Sequence, residues 1–162
     1  MYAIALVCLG NICRSPMAHV VLEARLHDAG LDDQVAVASS GTGGWHTGEA
    51  MDSRAAKVLS GHSYDPSRHV AEHFTTDWYA EHDLILAMDD SNYADIIDLA
   101  PTVAEQSKVR MFRDFDPEAT AGDNEVPDPW YGGREGFERV LAMIERTTDG
   151  LIAQIPDLIN PA

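Results

Sequence analysis

The sequence predicts an α/β fold: a single domain over residues 1–162, with an open sheet of four parallel strands and helices on both faces. Two observations favour this fold. Short apolar runs lack the alternation of half-buried strands, as expected for strands that are covered on both faces. Helical patterns separate these runs, which implies right-handed crossovers between parallel strands. No repeat or linker divides the chain, and its length suits one domain.

The predicted elements follow in order along the chain. The strands are predicted at 2–7, 35–38, 84–88 and 108–112, and the helices at 16–29, 52–60, 91–99 and 134–155. In the first helix, Ser15 stands at the N-cap position, Pro16 suits the first turn and Gly30 can end it. Gly150 could break the last helix. Residues 113–133 are rich in proline and glycine and are predicted to form a long irregular loop, which in a compact domain is usually functional.

The net charge of −16 and the cysteine count exclude several classes of protein. So acidic a chain is not expected to bind nucleic acid or an anionic membrane, because phosphate backbones select for clustered lysine and arginine. Its two cysteines rule out a disulfide scaffold and cannot build a zinc site by themselves. No apolar run reaches the ~20 residues of a membrane helix, and no signal peptide is visible. We therefore expect a cytoplasmic protein, with signal-less export as the alternative.

The stretch VCLGNICRSP at residues 7–16 joins the first strand to the first helix. Cys8 ends the strand, at the sheet edge where open α/β folds bind ligands. Gly10 permits a tight turn, and Asn11 tolerates a left-handed backbone. Backbone N–H groups of the loop and of the first helical turn can then surround an oxyanion, and Arg14 can hold two of its oxygens. A thiolate at Cys8, below a bound phosphate, would be a nucleophile for phosphoryl transfer.

Phosphoryl transfer also needs an acid for the leaving group. Among the many carboxylates, Asp128 is the best placed, because it lies in the long loop between two prolines and before two aromatic residues. An Asp-Pro turn is the competing interpretation of this motif taken alone. Together with the Cys8 loop, the motif favours a general acid.

These two motifs resemble those of the low-molecular-weight protein tyrosine phosphatases. VCLGNICRSPMA is similar to the phosphate-binding loop of that family, which lies between strand 1 and helix 1, and DPWYGG is similar to its general-acid loop. Stretches 39–52, 67–74 and 84–92 match in the same order, so the resemblance spans nearly the whole chain. It implies an enzyme that hydrolyses phosphotyrosine in proteins through a cysteinyl-phosphate intermediate, without a metal or other cofactor. We also expect a monomer.

The resemblance also implies the catalytic roles. Cys8 would be the nucleophile, and Arg14 with the backbone N–H groups of residues 9–14 would bind the phosphate and its transition state. Asp128 would protonate the tyrosine oxygen and then act as base for the attacking water. The loop residues expected to bind substrate are Leu9, Gly10, Asn11, Ile12, Cys13 and Ser15.

Further side chains would support the loop. By the same resemblance, Ser15 would donate a hydrogen bond to the Cys8 sulfur, which assists it as nucleophile and as leaving group. Asn11 would hold the loop in a strained shape through a hydrogen-bond network with Ser39 and His69.

Aromatic residues and the second cysteine complete the match. Trp45, Trp130 and Tyr131 are expected to line the cleft and to hold a phenyl ring. Tyr131 also matches a tyrosine that is phosphorylated in some relatives. Cys13 matches the second cysteine of the family's loop, where it would protect Cys8 from irreversible oxidation by forming a disulfide; a passive packing thiol is the alternative.

Ile12 bears on the substrate. Tyrosine phosphatases of this family carry an aliphatic residue there and the related protein-arginine phosphatases carry threonine, so an aromatic phosphoester is favoured. The two alternative classes are an arsenate reductase and a phosphotyrosine-binding module without catalysis. Thioredoxin-coupled reductases need further cysteines, which residues 14–162 lack, and a reductase coupled to a small thiol leaves Asp128 unexplained. A binding module needs neither Cys8 nor Asp128.

Overall fold

The computed structural model describes residues 1–161, and for Tyr131 it describes the backbone alone. Its strands are β1 (Tyr2–Cys8), β2 (Val35–Gly41), β3 (Leu84–Ala87) and β4 (Val109–Met111). Its α-helices are α1 (Arg14–Asp28), α2 (Ser53–Gly61), α3 (Asp77–Glu81), α4 (Asp90–Leu99), α5 (Val103–Gln106) and α6 (Gly133–Ile159). Two 3-10 helices span Phe112–Phe115 and Pro129–Tyr131.

The strands form one parallel sheet in the order β2-β1-β3-β4, which confirms the predicted α/β class and the four parallel strands. At the carboxyl edge, Cys8 is in register with Gly41 of β2, and Val7 is in register with Ala87 of β3. The chain passes from β1 to β2 on one side and continues with β3 on the other. The sheet therefore has a switch point at the end of β1, where open α/β folds place their ligands.

Helices cover both faces of the sheet, as predicted. The side chains of β1 alternate between two cores, with Ile4 and Leu6 in one and Ala5 and Val7 in the other. Buried residues of α1, α2 and α6 complete the first core, and those of α3 and α4 complete the second. All four of these β1 side chains are fully buried, which explains why the run shows no polar alternation.

Helix α1 begins before the predicted residue. Its N-cap is Cys13, whose side chain makes no capping hydrogen bond, and Ser15 lies within the first turn. The prediction of Ser15 as the cap is wrong because loop side chains engage its hydroxyl: Asn11 Nδ2 donates to it at 2.8 Å, and Cys8 Sγ lies 3.0 Å away. Gly30, with a φ of 71°, follows the end of the helix as predicted.

The last helix and the long loop also differ from the prediction. Helix α6 runs unbroken through Gly150, so the predicted break is wrong. The glycine instead permits a close approach, because a Cβ at this position would lie 1.9 Å from the carbonyl oxygen of Phe115. Within 113–133 the chain is not wholly irregular: it contains the end of the first 3-10 helix and the whole of the second, whose N-cap is Asp128.

Candidate active site

The loop after β1 surrounds the sulfur of Cys8. The chain turns through residues 9–13, and Asn11 adopts the left-handed conformation in this turn, with a φ of 57°. The backbone N–H of Asn11 points at Cys8 Sγ over 3.3 Å. Helix α1 follows directly, and its unpaired N-terminal N–H groups add partial positive charge. These groups together stabilise negative charge on or near the sulfur.

The hydroxyl of Ser15 is the second polar neighbour of the Cys8 sulfur, at 3.0 Å. Because Ser15 Oγ already accepts a hydrogen bond from the Asn11 amide, its own proton can point at the sulfur. The carbonyl oxygen of Ser40 is the more distant acceptor, at 3.4 Å. Ser15 can thus donate to a thiolate and stabilise it.

A buried network behind the loop holds Asn11 in place. Its Nδ2 donates to Ser39 Oγ at 3.1 Å as well as to Ser15, and its Oδ1 accepts the backbone N–H of Glu72 at 2.9 Å. His69 Nε2 lies 2.7 Å from the Asn11 carbonyl oxygen. Burial lowers the pKa of His69, so we assign a neutral ring that donates through Nε2. Every polar group of Asn11 therefore has a partner, which offsets the strain of its left-handed backbone.

Strand β2 lies against the same loop. A Cβ built on Gly41 would lie 2.7 Å from the Leu9 carbonyl oxygen and 3.0 Å from the Asn11 nitrogen. Both are backbone atoms, so the loop could not yield without changing its shape. Gly41 is therefore the residue that allows the end of β2 to approach the loop.

Carboxylates and a backbone carbonyl fix Arg14. Its Nη1 donates to Asp89 Oδ2 at 2.6 Å and to the Val126 carbonyl oxygen at 3.0 Å, and its Nη2 lies 3.9 Å from Asp128 Oδ2. Burial by itself would lower the pKa of Arg14, but the charges of Cys8 and Asp89 raise it above its ordinary value. Arg14 is thus a permanent positive charge held in one position.

A cleft of about 270 Å³ opens at the loop. Its two tryptophans, Trp45 and Trp130, are 65% and 39% exposed, so an aromatic ring could pack against them. The residues that line the cleft are Cys8, Leu9, Gly10, Ile12, Cys13, Arg14, Trp45, His46, Asp128 and Trp130. The side chains of Asn11 and Ser15 lie behind the loop instead, and the side chain of Tyr131 lies outside the described residues.

Arg54 contacts the segment that carries Asp128 on one side of the cleft. Its Nη1 donates to the Trp130 carbonyl oxygen at 2.8 Å, and its guanidinium lies over the Trp130 ring, 4.8 Å from the ring centroid. Asp52, the N-cap of α2, holds the same guanidinium at 3.1 and 3.2 Å. Asp128 accepts the backbone N–H of Trp130 through Oδ1 at 3.0 Å. Its Oδ2 is the oxygen nearer Arg14.

Cys13 differs chemically from a nucleophile. Burial, followed by the nearby charge of Asp52, raises the pKa of its thiol well above the ordinary value. It is therefore held as a neutral thiol at the edge of the cleft. Cys8 and Cys13 are both free in this structure.

The sequence reasoning missed several residues that contact the site. Asp89, the partner of Arg14, lies two residues after the end of β3, and its place at the carboxyl edge of a central strand is a usable signal. His19 contacts Ser39 and lies four residues after Ser15, on the same face of α1. The role of Arg54 had no signal, because its contact with Trp130 spans 76 residues.

Two observations concern ligands and membranes. Among residues 1–161, no cluster of three or more His, Cys, Asp or Glu side chains could hold a metal ion. In that same described part, no helix combines the length and apolarity needed to cross a bilayer.

Comparisons with known proteins agree on one family. The family model described as low molecular weight phosphotyrosine protein phosphatase matches residues 3–158. A low molecular weight protein-tyrosine-phosphatase of Streptomyces coelicolor is 46% identical over 159 residues, which cover 98% of this chain and 96% of that protein. The low molecular weight protein-tyrosine phosphatase A of Mycobacterium tuberculosis is 44% identical, with 91% and 88% covered. A crystal structure of a protein tyrosine phosphatase from Entamoeba histolytica is similar with a TM-score of 0.91 at 32% identity, with 97% and 98% covered.

Proposed function

Because the chain belongs to the low molecular weight phosphotyrosine protein phosphatase family, we propose that it hydrolyses phosphotyrosine in proteins through a cysteinyl-phosphate intermediate. One observation carries the mechanism: a nucleophile, a fixed cation and a carboxylate meet in the same cleft. Cys8, Arg14 and Asp128 all line it, and Asp128 Oδ2 lies 3.9 Å from Arg14 Nη2.

In the first step the Cys8 thiolate attacks the phosphorus atom. The S–P bond forms as the bond between phosphorus and the tyrosine oxygen breaks, and Asp128 gives its proton to that oxygen. The loop N–H groups and Arg14 hold the phosphoryl oxygens, so the charge of the transition state meets donors that are already in position. The ion pair with Asp89 keeps the Arg14 guanidinium oriented toward the phosphate site.

In the second step water replaces the sulfur. Asp128, now a carboxylate, removes a proton from the water as its oxygen attacks phosphorus. The S–P bond breaks, inorganic phosphate leaves and the thiolate is restored. The Ser15 hydroxyl, 3.0 Å from Cys8 Sγ, stabilises the departing thiolate.

The walls of the cleft favour a tyrosine ester. Ile12 presents an apolar surface beside the loop, and Trp45 and Trp130 offer aromatic faces to a phenyl ring. By the family resemblance we propose that Tyr131 also contributes to substrate binding. A phosphoserine or phosphoarginine side chain lacks a ring to fill this space.

The substrates are then phosphotyrosine-containing proteins, and we infer a monomer that acts in the cytoplasm. Its net charge of −16 disfavours nucleic acid as a partner. The positive charge that the reaction needs comes from Arg14, the loop N–H groups and the N-terminus of α1.

The proposal is tested by hydrolysis of matched peptides that carry phosphotyrosine, phosphoserine or phosphoarginine, with arsenate plus small thiols assayed alongside. We expect turnover of the phosphotyrosine peptide, no turnover by Cys8→Ser, and retained phosphate binding in that variant. Preference for phosphoarginine, or reduction of arsenate without phosphatase activity, would overturn the assignment. Binding of phosphotyrosine without turnover by the unaltered protein would indicate a binding module.

A further inference from the structure

The hydrogen-bond network behind the loop continues past Ser39. Ser39 Oγ lies 3.1 Å from His19 Nδ1, and His19 Nε2 lies 3.1 Å from Glu23 Oε1. His19 and Glu23 are on successive turns of α1. A chain of polar contacts thus connects the nucleophile's loop with a carboxylate at the surface.

The direction of each hydrogen bond follows from its neighbours. The Asn11 amide nitrogen has only protons to offer, so Ser39 Oγ accepts from it. Within residues 1–161, the one acceptor in reach of the Ser39 proton is then His19 Nδ1. That nitrogen must be bare, so the ring carries its proton on Nε2, which lies 3.1 Å from Glu23 Oε1.

Glu23 is suited to fix this tautomer. Its hydrogen bond to His19 outweighs the effect of burial and lowers the pKa of Glu23. Glu23 is therefore an anion, which can accept a hydrogen bond but cannot donate one. A His whose second nitrogen is held by a carboxylate keeps one ring orientation. With that orientation fixed, Ser39 has a fixed proton and presents its lone pair to Asn11.

We propose that His19 is a positioning residue for the phosphatase reaction: paired with Glu23, it orients Ser39, which in turn anchors the amide of Asn11. This inference rests on the proposed function. It matters because Asn11 contributes a left-handed backbone, with a φ of 57°, and the N–H that lies 3.3 Å from Cys8 Sγ. A loosened Asn11 amide would disturb the array of N–H donors where charge develops in the transition state.

His19 also lines a second cavity, of about 740 Å³, which is bordered by residues of α1, of β2 and of the segment 63–69. His19, Glu23 and His69 line it, and it shares no lining residue with the active-site cleft. The side chain of His19 is 23% exposed there. A change at this cavity can therefore reach the loop without any direct contact with substrate.

A matched pair of variants tests the proposal. His19→Asn and His19→Leu are nearly equal in size, but asparagine keeps an acceptor where Nδ1 stood and leucine does not. We expect His19→Leu to lower kcat about tenfold, the factor of one lost buried hydrogen bond, with KM changed less than about twofold. His19→Asn should retain most of kcat. His27→Leu is the control, because His27 lines the same cavity and pairs with a carboxylate, Asp32, but does not reach the loop.

Alkylation of Cys8 by iodoacetate separates this inference from the proposed function, because it requires no turnover. We expect slower alkylation in His19→Leu than in His19→Asn, whether or not the unaltered protein hydrolyses phosphotyrosine. If His19→Leu does not fold, as judged by thermal unfolding, His19→Ala takes its place, and added imidazole should enter the cavity and restore part of the alkylation rate. Equal kcat and equal alkylation in the Leu and Asn variants, or no effect of imidazole on His19→Ala, would overturn the proposal.

Discussion

Arg14 and Asp89 are joined by an ion pair with 2.6 Å between Nη1 and Oδ2, although 75 residues separate them in the chain. Arg14 is the last residue of the phosphate loop and the first of α1, whereas Asp89 caps α4 beyond the end of β3. The carboxyl ends of the two central strands thus hold one guanidinium between them. The relationship predicts that phosphate recognition depends on a residue outside the loop.

We expect Asp89→Asn to reduce kcat/KM about 10- to 100-fold, the effect of losing a charge-assisted hydrogen bond. The amide can still cap α4, because Asp89 Oδ1 accepts the Asn92 N–H, so Tm should change little. Steady-state kinetics with a phosphotyrosine peptide and a thermal melt give both quantities. Asp90→Asn, in the next residue along the chain, is the control. Unchanged kcat/KM in Asp89→Asn would show that Arg14 does not need this partner.

Asp128→Ala should lower kcat by about 10² or more with phenyl phosphate, whose leaving group needs a proton. The loss should be smaller with p-nitrophenyl phosphate, because that leaving group departs as an anion. A series of substituted phenyl phosphates measures the dependence on leaving group. Glu135→Ala, an exposed carboxylate in the first turn of α6, should behave like the unaltered protein. Equal losses across the series would argue that Asp128 is not the acid.

Gly41→Ala should damage the loop through the backbone alone. The added methyl group would meet the Leu9 carbonyl oxygen at 2.7 Å, so we expect unfolding free energy to fall by about 1–3 kcal/mol and phosphate affinity to fall with it. Calorimetry with inorganic phosphate and denaturant unfolding measure the two effects. Gly61→Ala meets no atom within 4 Å and should be neutral. Normal phosphate affinity in Gly41→Ala would mean that the loop has more room than the structure shows.

Asp116 should make the protein acid-sensitive. Burial favours the protonated form, but hydrogen bonds from Arg146, the Glu118 N–H and Arg113 prevail and lower the pKa of Asp116 well below its ordinary value of 3.8. The unfolded chain takes up this proton more readily than the folded one. The stabilisation is therefore complete above the unfolded pKa and is lost as pH falls toward the folded pKa.

The variant Asp116→Asn tests that dependence. At neutral pH the free energy of unfolding of this variant should be lower by about 3 kcal/mol, because the substitution leaves buried and half-buried guanidinium groups without their anion. The difference from the unaltered protein should shrink as pH falls below about 4. Urea unfolding across that range measures it. A difference that stays constant with pH would assign the effect to packing instead of charge.

The sequence predicts best where neighbouring residues carry the signal. The strand, the turn at Asn11 and the helix ending before Gly30 each have local causes, so the fold class and the phosphate loop follow from the sequence alone. Helix α3 was not predicted, because its five residues are stabilised mainly by Trp78 and Tyr79 packing on the sheet. That packing is a tertiary effect and leaves no periodicity to detect.

The sequence also does not show which distant residues contact each other in the folded chain. Arg14 could be recognised as a phosphate ligand from its spacing to Cys8. The positions of Asp89 after a strand and of His19 on α1 place both residues near the site, but they do not show that Asp89 pairs with Arg14 or that His19 supports Ser39. Gly150 shows the same limit in reverse. In the sequence this glycine suggests a helix break, whereas in the structure its missing side chain makes room for the carbonyl oxygen of Phe115. Such contacts depend on distances that only the folded chain sets.

The three contacts of Arg14 with Asp89, Val126 and Asp128 also determine when the active site can assemble during translation. Translation delivers Cys8 and Arg14 early and their partners much later. A nascent chain that ends before residue 126 therefore contains Cys8 and Arg14 but lacks the contacts of Arg14 with Val126 and Asp128. We therefore expect phosphatase activity to appear only after translation has passed residue 128, when the domain is nearly complete.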